Sequence, residues 1–214
     1  MAEAATALEH GFMLTFDYGG PVEELYAVPR HRGTVQCYYN HTVSDDPYIH
    51  VGEQDITAHV DFTALERAGR HYGLTTMGFT GQAEFLITLG ALAFQEVLAQ
   101  QARSERRISS PIGTEEKDQT SRIGQDVYLS NRMGIEELLR PNGLGGFRVL
   151  AQSRGISSGR LWGFWPENPH RQDLLNRVAD LQIPLRGSCH APLLEGRYPH
   201  QGLTGGFPNS WDEW

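Results

Sequence analysis

The stretch that decides the fold lies near the N-terminus and reads Phe12-Met13-Leu14-Thr15-Phe16-Asp17-Tyr18-Gly19-Gly20. It is almost continuously apolar until it reaches an acidic residue, a tyrosine and two glycines. A short apolar run that ends in this way is typical of a strand buried on both faces of a parallel sheet. We therefore expect this strand to lie inside an α/β domain.

Helical and extended patterns alternate on both sides of this strand. Good helix formers precede it and lead into His10-Gly11, which predicts a helix closed by a C-terminal glycine. After it, Asp61 is a plausible N-cap of a helix that ends at Gly73. Further helices are predicted at 81–102, 125–140 and 171–181, and further strands at 33–39, 74–80 and 147–155. The predicted fold is α/β.

Two regions of the chain read as irregular. The connection from Pro21 to Thr57 is long and punctuated by proline and glycine, and such connections usually carry function or move. The composition then shifts near Ile156. We predict one unit over 1–156 and a tail over 157–214 that is rich in Trp, Pro and Gly and contains all four tryptophans. This tail is expected either to wrap the domain or to stay partly disordered.

Bulk properties exclude several classes of protein. The formal net charge of −8 disfavours nonspecific binding to nucleic acid, which needs clustered Lys and Arg. Cys37 and Cys189 form no CxxC motif, so neither a disulfide scaffold nor a zinc ribbon is indicated, and a reducing compartment is expected. No apolar run approaches the roughly 18 residues of a membrane span, so we expect no membrane insertion.

Several motifs, in a constant order, resemble the MidA-like class I S-adenosylmethionine-dependent methyltransferases. Gly11 to Gly19 is similar to the family's strand ending in Asp-Tyr-Gly, and Gly33-Thr34-Val35 followed by His41 is similar to its next motif. The most specific match is Gly52-Glu53-Gln54-Asp55-Ile56-Thr57-Ala58-His59-Val60-Asp61-Phe62. The stretches from Phe79 to Gly90 and from Gly145 to Leu150 resemble a later helix and the closing strand. The resemblance covers about residues 10 to 155.

This resemblance carries expectations about fold and activity. It implies the C-terminal half of a Rossmann-like, mostly parallel sheet with helical insertions, an antiparallel last strand and an irregular C-terminal tail. It also implies S-adenosyl-L-methionine as methyl donor and a protein substrate methylated on arginine, with a respiratory complex I subunit as the candidate substrate. The expected location is the cytoplasm in a bacterium or the mitochondrion in a eukaryote.

The donor-binding half is expected to be missing from this chain, which alone would then be inactive. The family holds its donor with a glycine-rich turn after the first strand, and the chain resembles the family only from the helix before the fifth strand onward. The late run Asn142-Gly143-Leu144-Gly145-Gly146 precedes a strand instead of opening a helix. We therefore assign no cofactor-binding residues and expect a missing N-terminal half as a partner.

Candidate catalytic residues follow from position and chemistry. Asp17 and Tyr18 end a strand of an open α/β sheet, where ligands bind, although loop capping and packing explain them equally well. Imidazole exchanges a proton near neutral pH, so His59 is a candidate base. Carboxylates suit a guanidinium acceptor because they accept paired hydrogen bonds from it.

Candidate substrate-binding residues surround these positions: His41, Glu53, Asp55, Asp61 and Gln82. The competing explanation for Asp55, Thr57 and Asp61 is capping of helix N-terminal amides. A metal site built from His31, His41, His50 and His59 matches no compact ligand pattern, so none is assigned. An alternative function is a non-catalytic binding or assembly factor derived from the same family.

Overall fold

The computed structural model describes residues 1–28, 32–108, 128–156 and 159–181. Its strands are β1 (Gly11–Asp17), β2 (Gly19–Gly20), β3 (Gln36–Tyr39), β4 (Thr42–Ser44), β5 (Asp55–Thr57), β6 (Val60–Asp61), β7 (Thr75–Gly81) and β8 (Arg148–Arg154). Its helices are α1 (Ala2–Ala7), α2 (Val22–Leu25), α3 (Phe62–His71), α4 (Gln82–Thr88), α5 (Ala91–Ile108), α6 (128–139) and α7 (Arg171–Ala179). The predicted α/β class is confirmed.

The central sheet has the order β1-β8-β7. β8 is antiparallel to both neighbours, so β1 and β7 run in the same direction. The last strand thus lies between the two earlier ones, and the expected antiparallel last strand is confirmed. From Val149 to Ser153 every side chain of β8 is buried, which makes this strand the centre of the core.

Helices and the Phe164 ring pack on the two faces of the sheet. On one face α3 packs so closely that a Cβ at Gly69 would collide with the Gln152 side chain. On the other face Gly78 lies against the Phe164 ring, which also contacts Phe85 of α4 at a centroid distance of 5.0 Å. Gly78 pairs with Ala151, which is next to Gln152 in β8. Since successive strand residues point to opposite faces, Phe164 and α3 lie on opposite faces of the sheet.

The prediction that β1 is buried on both faces is wrong. Phe12, Leu14 and Phe16 are 43%, 48% and 43% exposed, and the strand alternates between half-buried and exposed side chains. The physical reason is the position of β1 at the margin of the described sheet, because α4 and Phe164 lie toward β7 and Phe85 of α4 contacts the exposed face of β1 at Phe16. The described residues leave its apolar side chains about half exposed.

The long connection after Pro21 contains more structure than its sequence indicates. β3 pairs with β4 and β5 to form a small antiparallel sheet of its own. The β3–β4 turn places Asn40 and His41 at φ values of 44° and 62°, the pair of positive angles that a tight two-residue hairpin requires. Only the β3 part of this sheet was predicted.

The helix predicted over 81–102 is two helices. Gly90 interrupts it with a φ of +95°, and the α4–α5 pair bends by 64° there. Within the described ranges no single helix is long and apolar enough to cross a membrane, although this bent pair meets that test by length and composition. The N-terminal helix also differs from its prediction: α1 stops at Ala7, and Gly11 opens β1 instead of closing the helix.

Part of the predicted tail contacts the rest of the chain. Trp162–Phe164 forms a 3-10 turn packed on α4 and β7, and α7 packs on α5. The end of the chain, with Trp211 and Trp214, lies outside the described residues, as do His31 and the start of the helix predicted at 125. The unit boundary near Ile156 stays a prediction.

Asp61 begins α3, as its sequence position predicts. Its carboxylate accepts a hydrogen bond of 2.9 Å from the Ala64 N–H. Asp61→Ala is expected to lower the unfolding free energy by about 1 kcal/mol, because this amide then loses its acceptor. Asp61→Asn is the matched control and retains most of that stability. Urea unfolding would measure both, and equal losses in the two variants would contradict the capping role.

Candidate active site at the ends of β1 and β7

The carboxyl ends of β1 and β7 lie on either side of the first residue of β8. Asp17 at the end of β1 and Gly81 at the end of β7 both pair with Arg148. Ligands of open α/β sheets bind outside the carboxyl ends of the parallel strands. The side chains around Arg148 are therefore the candidate site.

An aromatic cluster stands beside this position. The Tyr18 ring makes edge contacts with the His59 ring and the Phe147 ring, each at a centroid distance of 5.7 Å. Tyr18 and His59, which are 41 residues apart, were predicted as site residues separately. The fold brings them together and adds Phe147 from the start of the last strand.

The backbone holds this cluster in place. β2 pairs in parallel with β6, matching Gly19 to Val60 and Gly20 to Asp61, and the Val60 N–H donates a 3.0 Å hydrogen bond to the Tyr18 carbonyl. Gly19 has a φ of +152° and lies so close to Val60 that a Cβ would collide with the carbonyl oxygen. Glycine is required there because any side chain would prevent β2 and β6 from coming this close.

Charged groups complete the site. The Arg148 guanidinium forms a 2.8 Å ion pair with Glu24 at the start of the long connection. Glu84, in the first turn of α4, accepts hydrogen bonds from the Thr80 hydroxyl at 2.7 Å and from the Gly81 N–H at 3.1 Å. The site therefore has carboxylates from two separate elements near one guanidinium.

The Glu84 carboxylate is stabilised in its charged form. The hydrogen bond from Thr80 contributes most to lowering the pKa of Glu84 below its ordinary value of 4.5, followed by the Gly81 N–H. Partial desolvation opposes this effect, and the positive charge of Arg148 adds to it. Glu84 is thus a pre-oriented anion at this end of the sheet.

The lowered pKa of Glu84 predicts that the stability contributed by this residue depends on pH. The folded-state pKa of Glu84 is lowered, so the stability it contributes is present above about pH 4.5 and is lost as the pH falls through the folded pKa. Glu84→Gln is expected to cost about 0.3–1 kcal/mol at pH 7, as for an exposed anion at a helix N-terminus, and less at pH 3. Urea unfolding at both pH values would measure this, with Glu53→Gln in an exposed loop as control. A cost that does not change with pH would contradict the charge effect.

The remaining predicted site residues have other surroundings. Asp17 accepts a 2.8 Å hydrogen bond from the Tyr18 N–H, and Asp61 caps α3. For these two residues the capping explanation describes the observed contacts. Asp55 and Thr57 instead lie in β5 and cap no helix.

His41, Glu53 and Gln82 lie in three different parts of the fold. His41 is in the β3–β4 turn, at the end of the small sheet away from Thr57, and Glu53 lies in a turn in which its N–H donates to the His50 carbonyl. The Gln82 amide is buried and donates to the Leu144 carbonyl at 2.9 Å. This hydrogen bond therefore holds the segment that leads into β8 against the start of α4.

Metal binding has no support in the described ranges. There, no three His, Cys, Asp or Glu side chains lie close enough to hold a metal ion. His50 stacks on Tyr39 at 3.9 Å, and His31 lies outside the described residues.

The two glycine-rich runs do not fit the donor-binding turn of a class I methyltransferase. Such a turn leaves open space above its backbone for the ligand. Gly19 is instead closed off by Val60, and added Cβ atoms at Gly145 and Gly146 would meet the backbone of residues 139–141. Neither of these two runs therefore has this open space.

Comparisons with known proteins find one matching family model and similar solved structures. Residues 1–80 match the model of a family described as "Putative S-adenosyl-L-methionine-dependent methyltransferase". The chain resembles that family. The matched segment contains β1, Tyr18, Glu24, His59 and β7 up to Thr80. No curated protein shows significant similarity to the chain.

Two similar crystal structures come from Burkholderia thailandensis. One is a native structure of a COG1565 superfamily protein, with 32% identity over 76% of this chain and a TM-score of 0.57. The other is described as a "likely methyl transferase" of that superfamily bound to S-adenosyl-homocysteine, with 32% identity over 76% of this chain and a TM-score of 0.56. The chain spans 38% and 36% of their lengths. The predicted resemblance to a methyltransferase family that uses S-adenosylmethionine is confirmed at this level.

Besides Phe147, sequence reasoning missed three charged site residues. Glu24 lies in the long connection, where no pattern distinguishes it from its neighbours. Arg148 is the first residue of a strand that was interpreted as structural. Glu84 had a detectable signal, because a glutamate three residues after a helix N-cap is the position of a capping-box acid. Nothing in the sequence reveals the Glu24–Arg148 pair, which joins residues 124 positions apart.

Proposed function

We propose that this chain forms the acceptor side of an S-adenosylmethionine-dependent methyltransferase of the MidA type, acting on an arginine side chain of a protein. The observation that carries the proposal is the location of the candidate site. It lies within and next to the segment that matches the methyltransferase family, and a relative with the same superfamily fold binds S-adenosyl-homocysteine.

The chemistry of the site suits a guanidinium acceptor. Tyr18 and Phe147 offer aromatic surface on which a planar cation can stack. Glu24 already accepts a guanidinium N–H from Arg148 at 2.8 Å, so a carboxylate of the right geometry is present. Glu84 supplies a second anion, and bidentate hydrogen bonds would orient the acceptor nitrogen.

Orientation is the main contribution expected from these residues. S-adenosylmethionine supplies an electrophilic methyl group to such reactions. The acceptor nitrogen would gain this methyl group as the bond between the methyl carbon and the donor sulfur breaks, which would release S-adenosyl-homocysteine. The nitrogen would also lose a proton, for which the His59 imidazole is the proposed acceptor. Methyl transfer depends on holding the nitrogen in line with the donor, and well-oriented groups gain several kcal/mol, about 7–11 at most, from proximity.

The partner and the location follow from the family resemblance and remain proposals. A respiratory complex I subunit is the proposed protein substrate. The proposed location is the cytoplasm of a bacterium or the mitochondrion of a eukaryote.

A second function, binding without catalysis, is favoured by one specific observation. Six apolar or aromatic side chains in the long connection are between 58% and 89% exposed: Tyr26, Val28, Tyr48, Ile49, Val51 and Ile56. Exposed apolar surface of this kind commonly marks a protein contact. An assembly factor would use this surface and would not need the candidate site.

Peptide binding distinguishes the two functions. We expect the chain to bind a fluorescein-labelled peptide with one arginine at least ten-fold more tightly than the same peptide with citrulline, which has no charge. Tyr18→Leu should abolish this preference, whereas Tyr48→Leu, at an exposed position of the long connection, should not. Equal affinity for both peptides, lost in Tyr48→Leu, would instead support the assembly factor.

The donor side has a test of its own. Calorimetric titration of the chain with S-adenosylmethionine and S-adenosyl-homocysteine should give no binding, because the glycine runs are closed. Micromolar binding would contradict the assignment of the donor site to another unit.

A further inference from the structure

One guanidinium of the chain itself lies in the candidate site. Arg148 is the first residue of β8, and its guanidinium forms a 2.8 Å ion pair with the Glu24 carboxylate. The pKa of Glu84 is lowered first by the Thr80 hydroxyl and also by the positive charge of Arg148. Arg148 thus interacts with both carboxylates that the proposed function assigns to a substrate arginine.

The Glu24 carboxylate lies over the backbone that follows Tyr18. A Cβ added to Gly20 would lie 2.8 Å from the Glu24 Oε2, the oxygen that forms the ion pair. The helix that carries this carboxylate, α2, is held to α3 by a 3.0 Å hydrogen bond from the Val22 N–H to the Thr63 hydroxyl. Contacts other than the ion pair therefore place the carboxylate near the aromatic cluster.

The ion pair between Arg148 and Glu24 is weak enough to open. Their side chains are 30% and 53% exposed, and the Arg148 Nε has no hydrogen-bond partner among the described residues. Exposed ion pairs favour the closed arrangement by no more than about five-fold. An incoming arginine would replace one guanidinium by another on the same oxygen, so the carboxylate would recover a charge-assisted hydrogen bond.

We propose that Arg148 is an internal competitor at the acceptor site, and that a substrate arginine binds Glu24 only when the Arg148 guanidinium moves away. This inference rests on the proposed function, because it concerns the same carboxylate. The competitor makes binding selective, since opening the pair is offset only by a ligand that supplies an equivalent cationic donor to Glu24. A neutral side chain would leave the pair closed.

Removal of the competitor should tighten binding of the fluorescein-labelled arginine peptide. The full chain with Arg148→Gln is expected to bind about two- to six-fold more tightly, because the closed state no longer competes. Arg154 is the matched control, since its guanidinium donates to the Tyr72 carbonyl at the other end of β8. Arg154→Gln removes the same charge and should leave the affinity unchanged.

Glu24→Gln separates competition from long-range charge repulsion, because the loss of a positive charge also favours a cationic ligand. Competition for Glu24 predicts that Arg148→Gln gives no gain in affinity when residue 24 is already changed. Repulsion alone predicts the same gain in both backgrounds. Fluorescence anisotropy of the four chains would measure this double-mutant cycle.

A second measurement needs no peptide substrate. n-Propylguanidinium has the structure of the end of an arginine side chain, and it should bind the Arg148→Ala chain in the vacated position. Binding would shift the amide resonances of residues 18–24. The neutral isostere n-propylurea should cause no such shifts, and the unsubstituted chain should respond to neither compound at the same concentration.

Several outcomes would overturn the internal competitor. Weaker peptide binding by Arg148→Gln would show that Arg148 positions Glu24 instead of competing for it. Unchanged binding, a gain that persists with Glu24→Gln, or no propylguanidinium binding to Arg148→Ala would also contradict it. If every chain still prefers arginine to citrulline, the proposed function would stand without the competitor. Propylguanidinium binding with no preference between the peptides would retain the guanidinium site that Arg148 fills and reject the proposed function.

Discussion

Phe62→Ala is expected to lower the unfolding free energy by about 3–5 kcal/mol, the usual cost of removing a buried phenylalanine. Phe62 is 2% exposed, opens α3 and packs on Phe79 of β7. Its loss would leave a cavity between the helix and the sheet that the neighbouring rings fill only in part. For a chain of this size the melting temperature should fall by roughly 6–20 °C.

A phenylalanine of β1 provides the matched control. Phe12 is 43% exposed, so Phe12→Ala removes the same atoms from a site that is already partly in water. It should cost about 1 kcal/mol or less. Urea unfolding of the two variants would compare them directly. Equal losses would contradict the placement of Phe62 in the core, or of Phe12 on an uncovered face.

Gly19→Ala is the second large expected effect, because it acts on both the fold and the candidate site. A φ of +152° is a conformation that alanine rarely adopts, at a cost of about 1–3 kcal/mol. A Cβ would also collide with the Val60 carbonyl oxygen, and overpacking of this kind costs about 1–3 kcal/mol more. The β2–β6 pairing should open and move His59 away from Tyr18.

Gly52→Ala separates the two causes. Gly52 has a φ of +83° and nothing within 4 Å of an added Cβ, so it carries the backbone strain without the collision. It should cost less, about 1–2 kcal/mol, and leave the amide shifts of residues 59–61 unchanged. NMR spectra and urea unfolding would measure both properties. Unchanged shifts in Gly19→Ala would show that the β2–β6 pairing does not position His59.

Local chemistry explains why much of the fold could be predicted. The Asp61 cap and the positive φ of Gly73 at the other end of α3 are short-range effects, and each was visible in the sequence. The strand and helix patterns around β7 and β8 were recognisable for the same reason. The break at Gly90 was missed because the apolar stripe continues across it, and a periodic pattern does not report one residue of positive φ.

The candidate site could be predicted only in part. Asp17, Tyr18 and His59 were identified because they follow strands or lie in a family motif. The pairing of Glu24 with Arg148 and the contact of Tyr18 with Phe147 depend on the insertion of β8 beside β1. Such contacts join distant parts of the chain, and no local pattern contains them.

The sequence by itself determined the α/β class, the N-cap and C-terminal glycine of α3, and the resemblance to a methyltransferase family, because these depend on neighbouring residues. Only the tertiary structure decided that β1 is uncovered on one face and that Tyr18, His59 and Arg148 lie at one end of the sheet. The sequence of an apolar strand does not show whether the strand is buried on both faces or on one. The difference depends on which helices pack against it, and α4 and Phe164 lie toward β7.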